Sequence, residues 1–206
     1  MIITSIEVNK NIASMAHVYL DNNTFFCLPL KRIKILDLFE SKTISQETLG
    51  YIVKYEVYDA AKSAAVKYLS FKLRTSHEIT QKLVELGYNE EIANKVIENL
   101  IDIDYINDYK YAVKYISEKT KLQPKSIKML SMELGYKGIP DDIISSALEE
   151  LDVNEDNIAF ELLKKKFSKQ TYFDEKIIFK MKSFLMNKGF SYNQISKALS
   201  KFLPDM

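Results

Sequence analysis

The stretch Arg74–Leu100, RTSHEITQKLVELGYNEEIANKVIENL, decides how this chain is read, because its pattern returns twice downstream at one interval. Gly87, Gly138 and Gly189 are 51 residues apart each time (138 − 87 and 189 − 138). Eight positions before the glycines stand Ile79, Leu130 and Met181; four before stand Leu83, Leu134 and Leu185; one after stand Tyr88, Ile139 and Phe190. Beyond them, Val96, Ala147 and Ala198 align, as do Ile97, Leu148 and Leu199, and Leu100, Leu151 and Phe202. Self-similarity at a fixed period of this size marks a repeat architecture.

Local chemistry turns each copy into helices. Thr75 can cap a helix with its hydroxyl, and Glu78 three residues on can return the bond. Gly87 then ends that helix, since a residue just past a helix end commonly turns left-handed and glycine does so without a Cβ clash. Asn89 suits the cap of the next helix; its counterparts are Pro140, suited to a first turn, and Ser191, which has capping-box spacing with Gln194. A fainter leading helix aligns Tyr58, Tyr109 and Phe160, then Ala61, Ala112 and Leu163, then Ala65, Ile116 and Phe167. The pattern gives three units of three helices, each with an apolar face too wide to satisfy alone. Stacked neighbours would make an elongated array that presents a surface rather than a pocket.

Upstream, residues 2–8, Met15–Leu20 and Thr24–Leu28 read as strands, with turns at Asn9-Lys10-Asn11 and Asp21-Asn22-Asn23. Three strands alone are marginal, so the small antiparallel sheet is expected either to pack on the helix that follows or to be only loosely attached. Pro29 opens a short helical stretch through Leu38, and Thr43-Ile44-Ser45-Gln46 has capping-box spacing. Leu49, Ile52, Val53, Val57, Ala60, Ala61, Ala64, Ala65, Tyr68, Leu69 and Leu73 then form a buried helical stripe, predicting one long helix, or two in line, over 45–73. The expected fold is mainly α, a tandem array of three three-helix repeats with a small N-terminal β element. Its divisions are 1–45, 46–101, 102–152 and 153–206.

Composition narrows the function classes. Lys plus Arg number 29 against 28 for Asp plus Glu, so a net charge of +1 gives no whole-chain case for nucleic acid or membrane, and any charged site must be local. Cys27, the sole cysteine, precludes an intramolecular disulfide and reads as a small apolar strand residue. The N-terminal apolar run carries Glu7 and lacks a cleavage-site pattern, and no stretch reaches the ~20 apolar residues of a membrane span. A soluble, cytoplasmic monomer is the expectation.

The run Tyr68-Leu69-Ser70-Phe71-Lys72-Leu73-Arg74-Thr75-Ser76-His77-Glu78-Ile79, with Lys82-Leu83 after it, resembles the opening motif of the RecX family. Asp104-Tyr105-Ile106-Asn107-Asp108 with Tyr111-Ala112 is similar to that family's linker into its second repeat, and Glu133-Leu134-Gly135-Tyr136-Lys137-Gly138-Ile139 to its Glu-Leu-x-x-Lys-Gly-Ile segment. The likeness spans roughly residues 58–203, and the N-terminal part looks like the extension of longer members. Lys72, Asp104 and Thr75 stand where arginine, glycine and serine are usual; threonine keeps the capping chemistry, whereas lysine lacks arginine's planar fork. The resemblance implies a regulator of the RecA recombinase in DNA repair, homologous recombination and the SOS response. It would lodge in the groove of the RecA–DNA filament and usually inhibit ATP hydrolysis, strand exchange and co-protease activity. It also implies tandem three-helix repeats.

Candidate contacts are basic. Lys62, Lys67, Lys72 and Arg74 can line one helix face and its end, and Lys110, Lys114, Lys121, Lys125 and Lys128 collect at the corresponding region of the second unit. They read either as a surface for RecA acids or DNA phosphates, the latter salt-dependent, or as a solvated helix face. Lys164-Lys165-Lys166 with Lys169 point around a helix and read as solvated. The 13 tyrosines, set mostly on apolar stripes, and Met129, Met132, Met181 and Met186 read as core. His17 and His77 are isolated from other metal ligands, no Gly-rich phosphate loop or hydrolase motif occurs, and Glu90-Glu91 and Asp141-Asp142 suit helix N-termini. No enzyme, metal or cofactor is expected. The competing readings are a helix-turn-helix-like DNA-binding transcriptional regulator and a helical scaffold for another protein.

Overall fold

Asn23 adopts a φ of 62°, in the left-handed region that asparagine tolerates, and its neighbour Asn22 accepts hydrogen bonds from the Thr24 amide and hydroxyl. The chain therefore reverses here. The structure, a computed structural model, describes residues 1–10, 12–151 and 153–203. Strands Ile3–Val8 (β1), Met15–Leu20 (β2) and Phe25–Pro29 (β3) form an antiparallel sheet in the order β1-β2-β3. Val18 faces Ile6 on one side and Phe26 on the other. Ala16, Val18, Leu20, Phe26 and Leu28 alternate out of the pleat into a buried core.

Helix Leu30–Ile35 (α1) stops short of the expected Leu38, where Asp37 turns left-handed with φ 50°. Helix Gln46–Tyr51 (α2) is capped by Ser45, whose Oγ accepts from the Thr48 amide at 3.0 Å. Thr43 cannot be that cap, because it is held extended in a bridge opposite Ile2. The helix runs on through a π-helical segment, Ile52–Val57, into helix Tyr58–Leu69 (α3). It ends four residues before the expected Leu73, where the Ser70 hydroxyl donates to the Lys67 carbonyl at 2.8 Å. Leu73 is thus exposed rather than part of the buried stripe, and Phe71 is exposed beside it. The loop they occupy lets Thr75 reach the extended conformation (φ −80°, ψ 159°) that a cap requires.

The three triplets are Tyr58–Leu69 with Ser76–Glu85 (α4) and Glu90–Asp102 (α5); Asp108–Leu122 (α6), Ile127–Gly135 (α7) and Asp141–Glu150 (α8); and Glu155–Phe167 (α9), Glu175–Met186 (α10) and Tyr192–Phe202 (α11). Both capping boxes form, at Thr75/Glu78 and Ser191/Gln194, and Asn89 accepts from the Ile92 amide. Gly87, Gly138 and Gly189 have φ of 98°, 77° and 87°. The residue after each glycine donates its amide back to the carbonyl of Leu83, Leu134 or Leu185 at 3.2 Å, a Schellman-type closure made three times. Pro140 sits at the cap position itself, just before the first turn. The third copy departs from the template. The counterpart of Thr75 and Ser126 is Ile177, which has no side-chain oxygen, and α10 begins earlier with Asp174 as its cap.

Ile79, Leu130 and Met181 are fully buried, as are Leu83, Leu134 and Leu185, and the three copies fall into three apolar clusters with equivalent interiors. The chain divides into two compact units, Met1–Asn107 and Asp108–Met206. In the first, the sheet shares one core with the first triplet. A Cβ on Gly87 would lie 2.7 Å from His17 Nε2 and 3.0 Å from Cys27 Sγ, so the α4–α5 turn rests against the sheet face bearing those two residues. In the second, the turn at Gly189 rests on the cap of α7: the Ser126 amide donates to the Lys188 carbonyl at 3.0 Å. Glu155 joins them further, accepting from the Ile127 amide at 2.6 Å and from Gln194 Nε2 at 2.7 Å. Among the described residues no helix is long and apolar enough to cross a membrane.

Core packing fails as the reading for part of the soft and aromatic set. Met181 is buried, but Met132 and Met186 are exposed, as are Tyr51, Tyr55, Tyr105, Tyr136, Tyr172 and Tyr192. Tyr105 and Tyr172 lie in loops, and Tyr51 and Tyr55 lie ahead of the first triplet; on the short triplet helices one stripe faces the core, and apolar residues on the remaining faces, such as Met132, have nothing within the triplet to cover them.

Candidate partner-binding surface

Tyr111, Tyr115 and Lys119 succeed one another at four-residue steps, which places them along a single face of α6. The two rings lie nearly parallel, 14° apart, with centroids at 6.1 Å. Lys119 lies over the Tyr115 ring at 5.4 Å, and Lys137, from the turn before Gly138, lies over Tyr111 and Tyr115 at 5.7 and 6.0 Å. Ammonium groups at these distances are attracted by the ring quadrupole.

Glu133, on α7, ties the cluster together. Lys125 Nζ donates to its Oε1 at 2.6 Å and Tyr115 Oη to its Oε2 at 2.8 Å. Burial alone would raise the Glu133 carboxyl, but these hydrogen bonds, with the charges of Lys125 and Lys119, hold it below the ordinary carboxylate value. Burial first, then the bond and charge of Glu133, push the Tyr115 phenol up, so it stays a donor. The result is a fixed arrangement of aromatic faces and lysines around one ionised carboxylate. Outside it, Lys128, Met132 and Tyr136 form an exposed stripe on α7 and its cap.

In the first triplet the Arg74 guanidinium stacks 4.2 Å from the Tyr68 ring centroid, and its Nε is buried without a hydrogen-bond partner. Lys62 is half-buried and Lys67 exposed on α3, while Lys72 lies exposed in the loop after it. Lys110, Lys114, Lys121 and Lys128 are exposed, with Lys114 4.0 Å from Glu118. Of the nine predicted cations, only Lys125 enters the tyrosine cluster. Tyr111, Glu133 and Lys137 stand in the sequence reading only as residues of the family-like motifs and not as contacts, and Tyr115 and Lys119 are not named in it, although the four-residue spacing of Tyr111, Tyr115 and Lys119 is visible there.

Lys164, Lys165, Lys166 and Lys169 are exposed, yet Lys166 is not simply solvated: its ammonium lies 3.9 Å from the Phe184 ring centroid. Cys27 is buried in β3, donates to the Leu86 carbonyl at 3.3 Å, and has its thiol pushed up to about 11 by burial. Among the described residues no group of three His, Cys, Asp or Glu side chains is placed to hold a metal ion.

Comparison with known proteins gives these arrangements a family context. Residues 61–100 match the profile of the first three-helix domain of RecX, and residues 154–199 that of the third. The regulatory protein RecX of Clostridium acetobutylicum is 32% identical over 209 residues, covering 98% of this chain and 97% of that protein. Its counterpart in Clostridium perfringens (strain 13 / Type A) is 30% identical over 195 residues, covering 93% and 91%. The crystal structure of a regulatory protein RecX is similar in fold over 100% of this chain and 99% of that one, with a TM-score of 0.64 at 23% identity. RecX from Lactobacillus salivarius gives a TM-score of 0.62 at 30% identity, covering 70% of this chain and 95% of that one.

Proposed function

The chain belongs to the RecX family, and from that membership we propose that it binds the RecA recombinase filament and inhibits its ATPase, strand-exchange and co-protease activities. One observation carries the reading: kinship with proteins named regulatory protein RecX runs through the sheet and all three helical triplets, rather than through one isolated motif. On this reading the protein is a cytoplasmic monomer that acts on recombination and DNA repair by binding, without catalysis of its own.

The physics of such a partner suits a repeat protein. A filament repeats one surface, and several modest contacts linked in one chain gain affinity from effective concentration. Exposed tyrosine and methionine beside lysine, as at Lys128, Met132 and Tyr136, supply the aromatic and thioether side chains that are enriched at protein interfaces. We place RecA contacts on this stripe and on the predicted cations Lys62, Lys67, Lys72, Arg74, Lys110, Lys114, Lys121, Lys125 and Lys128. DNA phosphates within the filament would be a weaker second contact.

The test is a titration of this protein into the DNA-dependent ATPase of RecA at two salt concentrations. Inhibition at or below one inhibitor per protomer is expected, weakened but not abolished by salt. No inhibition at stoichiometric protein would refute the proposal. A gel-shift panel showing sequence-selective duplex binding would favour a transcriptional regulator instead.

A further inference from the structure

Within the unit Met1–Asn107, a groove of about 730 Å³ opens between α1, α3 and the end of α4. Its lining is apolar at Met15, Pro29, Ala60, Ala64 and Leu86, and basic at Lys31, Arg32, Lys67 and Lys82. Among the described residues no carboxylate lines it. Arg32 is held by Glu56 at 2.6 Å and Lys82 by Glu85 at 3.0 Å, but neither Lys31 nor Lys67 has an ion-pair partner among the described residues. Ile35 and Phe71 also line the groove and are left 66% and 76% exposed. Tyr88, a third element of the lining, has a buried hydroxyl without a hydrogen-bond partner. A native protein seldom leaves such a group unsatisfied.

We propose that this groove docks an acidic peptide segment that carries one or two large apolar side chains and is supplied by a partner protein. Its carboxylates face Lys31 and Lys67, and its apolar anchor covers Ile35, Phe71 and the alanines of α3. The volume suits a few side chains and not a folded domain. Nucleic acid fits less well. A single strand is held by successive bases stacked on several open aromatic faces; here Tyr68 is taken by Arg74 and Tyr88 is buried, which leaves Phe71 as a single open ring in the lining. The inference goes beyond the recombinase reading, since it rests on this unit's own geometry and holds whichever protein supplies the segment.

The experiment measures fluorescence anisotropy of short labelled probes with the full chain. The first probe is a peptide rich in Asp and Glu around a Phe-Leu pair. The others are the same peptide with its acids replaced by amides, the same peptide with Phe-Leu replaced by Ser-Ser, and an oligothymidylate. Only the first should bind well, and Lys31→Glu with Lys67→Glu, both at exposed positions, should weaken it about tenfold or more. Ser63→Trp, which fills the groove from an exposed position, should abolish binding without altering the charge. Four results would overturn the proposal: no peptide binding up to about 1 mM, equal binding by the amide peptide, binding unmoved by either variant, or displacement of the peptide by oligothymidylate.

Discussion

Gly189→Ala probes the repeat turn and its seat together. Gly189 has a φ of 87°, where an L-residue with a Cβ costs about 1–2 kcal/mol. The added methyl would also lie 2.5 Å from Ser126 Oγ and 3.2 Å from Met129 Cβ. Ser126 cannot simply turn away: its hydroxyl accepts from the Met129 amide at 3.2 Å as the cap of α7, and losing such a cap costs about 0.5–2 kcal/mol. Nor can the turn easily withdraw, since the Lys188 carbonyl holds the Ser126 amide. Together the substitution should destabilise by about 1.5–4 kcal/mol, read as a lower urea midpoint. Gly135→Ala is the control. Gly135 lies in the last turn of α7 with nothing within 4 Å of its virtual Cβ, so alanine there should be neutral or stabilising by about 0.5–1 kcal/mol. A double-mutant cycle isolates the clash: Ser126→Ala removes the offending oxygen, so the double variant should cost less than the sum of the singles. Equal midpoints for Gly189→Ala and Gly135→Ala, or strict additivity in the cycle, would refute the turn and its seat.

Two further outcomes come from titratable groups, half-buried Glu133 and buried Cys27. Glu133 has its folded-state value held below its ordinary 4.5, so the stability it contributes is complete above that pH and drains away as pH falls below it. Glu133→Gln should lower the urea midpoint at pH 7 and differ less from the parent at about pH 3; a difference that grows in acid would refute the assignment. Cys27, with its thiol raised from 9.0 to about 11, should react with iodoacetamide far more slowly in the folded chain than in urea at about pH 8. Its burial also lowers stability as pH rises past 9.0, where only the unfolded chain releases the proton. Equal alkylation rates in the two states would place the thiol at the surface.

The signals legible in the sequence were local ones. Thr75 with Glu78, Ser191 with Gln194 and the three glycines each act within a few residues, so spacing alone specified the helix starts, the turns and the triplet. Where readings failed, a distant partner had intervened. Thr43 loses the cap to Ser45 because Ile2 draws it into a bridge. Leu73 leaves the stripe because the Thr75 cap needs an extended approach. Met132 and Tyr136 sit at helical spacing, but a short helix with apolar residues on two faces does not say which face is buried. The Tyr111, Tyr115 and Lys119 row was visible as a row; that Glu133 and Lys137 converge on it depends on how α7, which follows α6 after residues 123–126, folds back beside it.

The three copies agree inside and differ outside, and this bears on how such a protein meets a partner. Ile79, Leu130 and Met181 have the same burial because each fills the equivalent position in its own copy's interior. Arg74 and Lys125, by contrast, occupy equivalent positions 51 residues apart, yet one stacks on Tyr68 and the other pairs with Glu133. Exposed Tyr136 likewise corresponds to Glu85 in the first copy and Asn187 in the third. Packing therefore constrains all three interiors in the same way, while the outward faces have been left to specialise. If each copy gripped an identical site by identical contacts, those faces would match as the interiors do. Because they do not, the copies should contribute unequally to binding, and reversing the charge at Lys128 in the second should weaken a partner more than reversing Lys176 at the exposed start of α10 in the third.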